Sequence, residues 1–398
     1  MAAAQQQIVG SLAHNVSPGF FRLCRRKVCA KCGCSQPVMR AFRSSLALLI
    51  LVLLASAAGP AQAQTVDSIE QAWRSWMAEQ RRKTGGLAVE HGGRAVREAA
   101  MGQEAVGAPV PVASLSKAVT AVCIAGLIER GRLSFETPLS QALARTMARV
   151  GQPVDPRLST VTISQLLVHR AGLDKKDIAN APLADYLRTH TARRTAFDVQ
   201  LGWIFRHRLA SQPGTRYVYS NAGYLILGAV IEEASGRDYE GYCRETVLLP
   251  LGARDAELDP AWRIMSSYGG WRMPTADYGR FYQAFALGNP AIGPQARAWM
   301  MSPDGKRVGG GVHYGLGTFV RPTATGGGNF WHWGAWTYDL RGAYDGTLSA
   351  SYSAFAVRLG AIDTNMVVHF APRLDKGGGQ GKLDRTLGGA AEAVRNWP

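Results

Sequence analysis

Val112-Ala113-Ser114-Leu115-Ser116-Lys117-Ala118-Val119-Thr120 is the stretch on which the reading of this chain turns. Apolar residues continue from it nearly all the way round a helical wheel (Val119, Val122, Ile124, Leu127, Ile128) until Gly131. That predicts a core helix over residues 114–130 with Ser114 at its mouth. Residues three apart on a helix share a face, so Lys117 stands one turn from Ser114. A serine hydroxyl is a weak nucleophile until a nearby base takes its proton, and an amine one turn away can be that base. The first turn of a helix also offers free N–H groups and a positive dipole end, which suit a developing oxyanion. Alone, Ser-x-x-Lys is expected about once by chance in a chain this long, and a capping serine beside a solvated lysine is the plainer explanation. The rest of the chain has to decide.

Upstream, Asp67-Ser68-Ile69-Glu70 has the form of a capping box, and Ile69, Trp73, Trp76 and Met77 recur at helical spacing. This predicts an amphipathic helix over residues 67–83, stopped by Gly85 and Gly86. Leu87-Ala88-Val89 and residues 95–101 read as two strands around the turn His91-Gly92-Gly93-Arg94. Downstream, residues 162–169, 182–189, 196–209, 221–234 and 275–288 read as helices, with no strand pattern over most of that stretch. From about Gly315 the period changes: residues 317–320, 329–337, 348–359 and 365–371 read as strands, and residues 383–396 as a last helix. The order predicts an α+β fold, an antiparallel β-sheet built from both ends of the chain and flanked by N- and C-terminal helices. An all-helical lobe, roughly residues 135–290, is inserted between them.

The first 63 residues are expected to stand apart from this domain. Met39-Arg40-Ala41-Phe42-Arg43, the apolar residues 44–58 and Ala61-Gln62-Ala63 have the layout of a secretory signal peptide cleaved before Gln64. An uncleaved membrane anchor is the alternative. The expected location is therefore periplasmic or secreted, with membrane contact only through that segment. Residues 1–38 precede an apt start at Met39 and are expected to be an upstream over-read. They hold Cys24, Cys29, Cys32 and Cys34, without a second half at zinc-site spacing. Only Cys123 and Cys243 remain beyond, where buried free thiols are the plainer expectation and a disulfide stays open.

Composition narrows the classes. Of 398 residues, 46% are hydrophobic and 19% charged, an ordinary globular balance. Net charge is +16, but residues 1–63 carry seven Lys/Arg and no Asp/Glu; the 38 basic and 29 acidic residues beyond leave +9. The basic residues are scattered (Arg81, Arg82, Lys83; Arg193, Arg194) without interleaved aromatics, so no nucleic-acid partner is expected. There are no internal repeats, and the glycines at residues 377–381 lack the spacing of a phosphate cradle.

Two further motifs follow Ser114 in order. In Tyr217-Val218-Tyr219-Ser220-Asn221, Tyr219 and Asn221 lie two apart in a loop before a helix and can face one cleft. A phenol can pass a proton between nucleophile and leaving group, and an amide can donate to a substrate carbonyl while accepting from a lysine. In Phe330-Trp331-His332-Trp333-Gly334-Ala335-Trp336, on an expected strand, a strand edge can align an extended acyl substrate, and Gly334 permits close backbone approach. His91-Gly92-Gly93 and His313-Tyr314-Gly315 also fit His-x-Gly, but only His332 lies at the right point in the order.

Ser-x-x-Lys, Tyr-x-Asn and His-x-Gly in this order resemble the signature of serine β-lactamases and penicillin-binding proteins. The Tyr-x-Asn form is similar to class C β-lactamases and their relatives: D,D-peptidases, D-aminopeptidases and lactamase-like esterases. Residues 162–173, 213–224, 269–281 and Tyr314-Gly315-Leu316-Gly317 resemble the family's flanking segments, so the likeness covers about residues 67–395. It implies acyl transfer through an ester on Ser114. Lys117 would be the base, alone or with Tyr219; Tyr219 would protonate the leaving group and activate water for deacylation. The N–H groups of Ser114 and Ala335 would form the oxyanion hole, and Asn221 and His332 would orient the substrate. No metal or organic cofactor is needed. One departure matters. The family usually has Thr or Ser where Trp333 stands, and His332 is a weaker cation than Lys. Both tilt the expectation from β-lactams toward small-molecule or peptide-like esters and amides, unless the tryptophans serve core packing. The alternatives are a true class C β-lactamase or D,D-carboxypeptidase, and a non-catalytic member that binds peptidoglycan or a partner in the same cleft.

Overall fold

The computed structural model describes residues 64–174, 196–259, 265–324, 327–339, 349–374 and 379–398. The expected signal segment, the cysteines before it, the expected helix over 182–189 and Leu348 lie outside these residues.

Both ends of the chain meet in one sheet. Helix α1 (Asp67–Glu79) is followed by the hairpin β1 (Thr84–His91) and β2 (Arg94–Met101). The C-terminal third supplies β6 (Arg307–Gly309), β7 (Val312–Tyr314), β8 (Phe319–Pro322), β9 (Gly328–Asp339), β10 (Ser349–Leu359) and β11 (Thr364–Ala371). The eight strands run in the order β2-β1-β11-β10-β9-β8-β7-β6. Each neighbour is antiparallel. Thr84 pairs with Ala371 and His91 with Thr364, which joins the first strand to the last. This is the α+β sheet that the element order implied.

The terminal helices α1 and α7 (Gly379–Ala393) pack together. Trp73 and Trp76 are buried; Trp76 Nε1 donates to the Gly379 carbonyl at 3.0 Å, and its ring meets Phe370 edge-on at 5.0 Å. On the other face lies α6 (Thr275–Tyr282), where Asn365 Nδ2 donates to the Gly279 carbonyl at 3.1 Å. Helix α2 (Ser116–Glu129) is buried along almost its whole length, as its all-round apolar sequence requires, and packs on α5 (Asn221–Ser235).

Several local expectations change. Gly85 and Gly86 do not stop a helix; they lie inside β1, where a Cβ on Gly85 would come 2.5 Å from the His369 carbonyl oxygen. Asp67 and Glu70 do not make a capping box. Helix α1 starts at Asp67 without a side-chain cap, and Glu70 accepts from Arg74 at 2.8 Å. A capping box instead opens α3 (Ile163–Leu167), through Thr162 and Gln165. The inserted lobe contains α3, α4 (Ala196–Phe205) and α5, but it is not all helical. A three-stranded sheet of β3 (Val110–Pro111), β5 (Trp271–Met273) and β4 (Glu257–Leu258) joins it to the nucleophile segment. Strands of two or three residues are too short to show a period of two. Cys123 and Cys243, both fully buried, are joined as a disulfide with Cα atoms 5.7 Å apart, so the free-thiol expectation gives way to its alternative.

Candidate active site

The stretch around Ser114 begins with a turn rather than a helix. Ala113–Leu115 is a 3-10 turn, and α2 proper starts at Ser116. Ala113 is fully buried with φ +47°, a left-handed conformation that costs a non-glycine residue energy and survives only where its surroundings impose it. They do: the Val112 N–H donates to the Trp271 carbonyl at 3.0 Å, the Trp271 N–H to Ser116 Oγ at 3.2 Å, and the Tyr278 hydroxyl to the Leu115 carbonyl at 2.9 Å. Ser114 is left half-exposed between buried neighbours. Strand β9 lies against this turn at Gly334. A Cβ there would collide with the Val112 carbonyl oxygen and sit 3.2 Å from the Ser114 nitrogen, so only glycine fits.

Lys117 has no exposure to solvent. Its Nζ lies 3.2 Å from Ser114 Oγ, 2.7 Å from Asn221 Oδ1 and 2.9 Å from the Tyr268 carbonyl oxygen. An ammonium has three protons, and three acceptors meet them. A neutral amine fits the same cage, donating to Asn221 and Tyr268 and turning its lone pair to the serine hydroxyl. The Tyr219 ring centroid is 4.9 Å from Nζ, with Tyr268 at 5.6 Å and Tyr224 at 5.8 Å, so aromatic faces stand in for lost hydration. Tyr219 is half-buried in the loop before α5, and Asn221 is the first residue of that helix. Ser116 and Ser220 are both buried, and Ser116 Oγ is taken up by the Trp271 N–H.

His332 lies on the same face of β9 as Gly334 but is fully buried. Its Nδ1 donates to the Trp333 carbonyl at 2.8 Å, and Nε2 accepts from the Tyr314 hydroxyl at 3.0 Å. Burial and then the Lys117 charge push its pKa down to about 3, so the ring is neutral. The expectation that His332 orients substrate directly is therefore revised: both nitrogens are engaged, and the ring backs Tyr219 at 6.0 Å between centroids. Trp333 points to the opposite face, is 4% exposed and stacks on Phe355 at 4.2 Å. Its contact is with the core, which revises its expected place against the substrate. Ala335 is half-exposed. Strand β8 leaves β9 after the pair Phe319–Trp331, so beyond Trp331 the described part of β9 has a partner strand only on the β10 side. That edge borders the Ser114 turn.

The other two His-x-Gly histidines lie elsewhere. His91 stacks on Trp397 at 4.1 Å, and His313 Nε2 donates to the Met300 carbonyl at 2.7 Å. Sequence reasoning missed Tyr268, which acts through its main chain and leaves no side-chain signal. It also missed Tyr314 as the partner of His332, although Tyr314 heads a segment already singled out. Among the described residues no group of three or more His, Cys, Asp or Glu could hold a metal ion.

Comparison with known proteins bears on the family and the fold. The family model described as Beta-lactamase matches residues 69–347. A probable fimbrial assembly protein FimD, serogroup H1, of Dichelobacter nodosus is 31% identical over 139 residues, 33% of this chain and 31% of that protein. Esterase EstB of Burkholderia gladioli is 30% identical over 178 residues, 44% of this chain and 42% of the esterase. The matched regions thus span less than half of these relatives' own lengths. Among solved structures, a D-stereospecific amidohydrolase from Streptomyces sp. superposes with a TM-score of 0.63 at 18% identity, covering 81% of this chain and 98% of that one. A penicillin-binding protein homologue from Pyrococcus abyssi, described as octameric, gives 0.62 at 19% identity over 81% and 76%. At such identities the two structures establish the fold alone.

Proposed function

The chain belongs to the β-lactamase family, and on that premise we propose that it is a serine hydrolase that cleaves an ester or amide bond through an acyl-enzyme on Ser114. The observation that carries this reading is Lys117 Nζ, 3.2 Å from Ser114 Oγ and held by Asn221 and the Tyr268 carbonyl. In its neutral form Lys117 takes the hydroxyl proton as Oγ attacks the substrate carbonyl. The N–H groups of Ser114 and Ala335 receive the oxyanion. Tyr219 delivers a proton to the leaving group and then draws one from the water that hydrolyses the acyl-enzyme. Asn221 holds Lys117 through Oδ1 and offers Nδ2 to the substrate.

On substrate class, a neutral ester or amide is favoured over a β-lactam. His332 carries no charge and Trp333 carries no hydroxyl into the cleft, so neither supplies an anchor for a carboxylate. An esterase among the relatives is in keeping with this choice. Carboxypeptidases stand among them too, and they keep the peptidase reading as the alternative.

The test is to incubate the protein, beside Ser114→Ala, with a p-nitrophenyl ester and with a fluorescent penicillin, reading turnover and intact mass. Ester turnover abolished in Ser114→Ala is the expected result. Rapid turnover of the penicillin would move the assignment to a β-lactamase. No turnover and no adduct with either probe, or activity that survives in Ser114→Ala, would overturn the catalytic reading.

A further inference from the structure

His169 is a buried, titratable group that the chemistry above does not use. It follows α3 with φ +57°, a left-handed conformation uncommon outside glycine that histidine, like asparagine, adopts more readily than most residues. It is bonded to the chain on both sides of Tyr219. The Val218 N–H donates to the His169 carbonyl at 2.8 Å, and the Ser220 N–H donates to His169 Nδ1 at 3.2 Å. The His169 ring lies 4.3 Å from the Tyr219 ring. Since Nδ1 accepts, the proton of the neutral ring is on Nε2, which is buried without a hydrogen-bond partner among the rings of Tyr314, Tyr224 and Tyr217, at 4.7, 5.2 and 5.8 Å. N–H groups facing aromatic rings gain weak stabilisation. Burial first, and the nearby Lys117 charge second, hold the ring in this neutral form.

We propose that His169 is a positioning residue for Tyr219: its carbonyl and its Nδ1 tie down the peptide groups that flank the tyrosine, and its ring supports the phenol from behind. This rests on the reading of Tyr219 as the proton carrier. Nothing in the arrangement lets His169 touch the substrate. Its exposure is 3%, and Tyr219 stands against its ring. Tethers on both sides leave Tyr219 little freedom to swing, and a shift of about 1 Å at such a group can cost about a hundredfold in rate.

Two substitutions and a cycle test this with the p-nitrophenyl ester. His169→Phe keeps a ring of similar size and removes the acceptor. It should lower kcat about a hundredfold and lower KM with it, because slowed deacylation leaves kcat/KM, which acylation sets, little changed. Because Tyr219 is needed for deacylation, the Ser114 acyl adduct should accumulate in this variant, visible by intact mass, which a merely destabilised protein would not show. His169→Asn tolerates the left-handed backbone and keeps a side-chain acceptor, so it should recover about tenfold or more of the loss. In a Tyr219→Phe background, His169→Asn should have no further effect, because the two act as a unit. This arm holds even where His169→Phe fails to fold. Wild-type kcat in His169→Phe, Asn no better than Phe, or full additivity with Tyr219→Phe would each overturn the proposal. Failure of the functional reading looks different: the wild-type protein itself then neither turns over nor labels at Ser114.

Discussion

Lys117 and Glu90 are equally withdrawn from water, at 0% and 1% exposure, and the molecule treats them in opposite ways. Around Lys117, three different elements deliver a hydroxyl, an amide oxygen and a carbonyl oxygen within 3.2 Å. Around Glu90, on β1 beneath α6, the described hydrogen bond is from Asn365 Nδ2 at 3.4 Å. The Glu90 carboxyl is accordingly pushed up to about 7, chiefly by burial, against smaller pulls from Asn365 and Gln283. A buried ionisable group is thus not by itself a site. Around Lys117 the partners include the Ser114 hydroxyl proposed above as the nucleophile; around Glu90 they only ease the burial of a carboxyl that is most comfortable protonated.

The comparison breaks first at Lys117. Lys117→Met fills much the same volume without a charge, and kcat/KM for an activated ester should fall by about a thousandfold or more. The near-UV circular dichroism should stay native-like. Retained turnover would show that the cage around Lys117 is structural, as that around Glu90 is.

The next effect falls on stability. Glu90 is raised from 4.5 to about 7. The stability it contributes by holding its proton is fully present below pH 4.5 and is lost as pH rises through 7. That loss is about 3 kcal/mol on the alkaline side. Glu90→Gln removes the dependence. In urea titrations it should match the wild type near pH 5 and exceed it near pH 8, with ester turnover retained. An equal difference at both pH values would show that Glu90 does not change its protonation there.

The smallest expected effect sharpens the contrast by placing a carboxylate against Lys117, where the Asn221 amide oxygen now lies. Asn221→Asp favours the ammonium, so the acidic limb of the pH–rate profile should move to higher pH and the rate at pH 7 should fall by roughly tenfold. A fall in rate with no movement of the limb would mean that Lys117 does not titrate in the profile.

What could be read from the residues follows from how each signal is carried. The terminal helices, the long strands and the all-round apolar helix were legible because burial leaves a periodic mark on ten or more residues at a time. The sheet's two-ended assembly followed from the order of those elements. The meeting of Ser114, Lys117, Tyr219 and Asn221 was legible because the proposed chemistry needs those residue types at short, fixed spacings. The two- and three-residue strands were not legible, having no room for a period. Gly85 and Gly86 were misjudged, because a glycine that breaks a helix and one that admits a neighbouring strand look the same in sequence.

By itself, then, the sequence determined the layered α+β plan and the set of side chains offered to one cleft. Tertiary structure alone decided what surrounds them. It put His332 where burial and Lys117 keep it neutral, and it turned Trp333 onto Phe355. It brought the Tyr268 carbonyl to Lys117 from 151 residues away and closed both flanks of Tyr219 onto His169. The physical reason is common to all four. A side chain's charge, direction and freedom depend on the dielectric and the partners around it, and those partners come from parts of the chain that no local spacing connects.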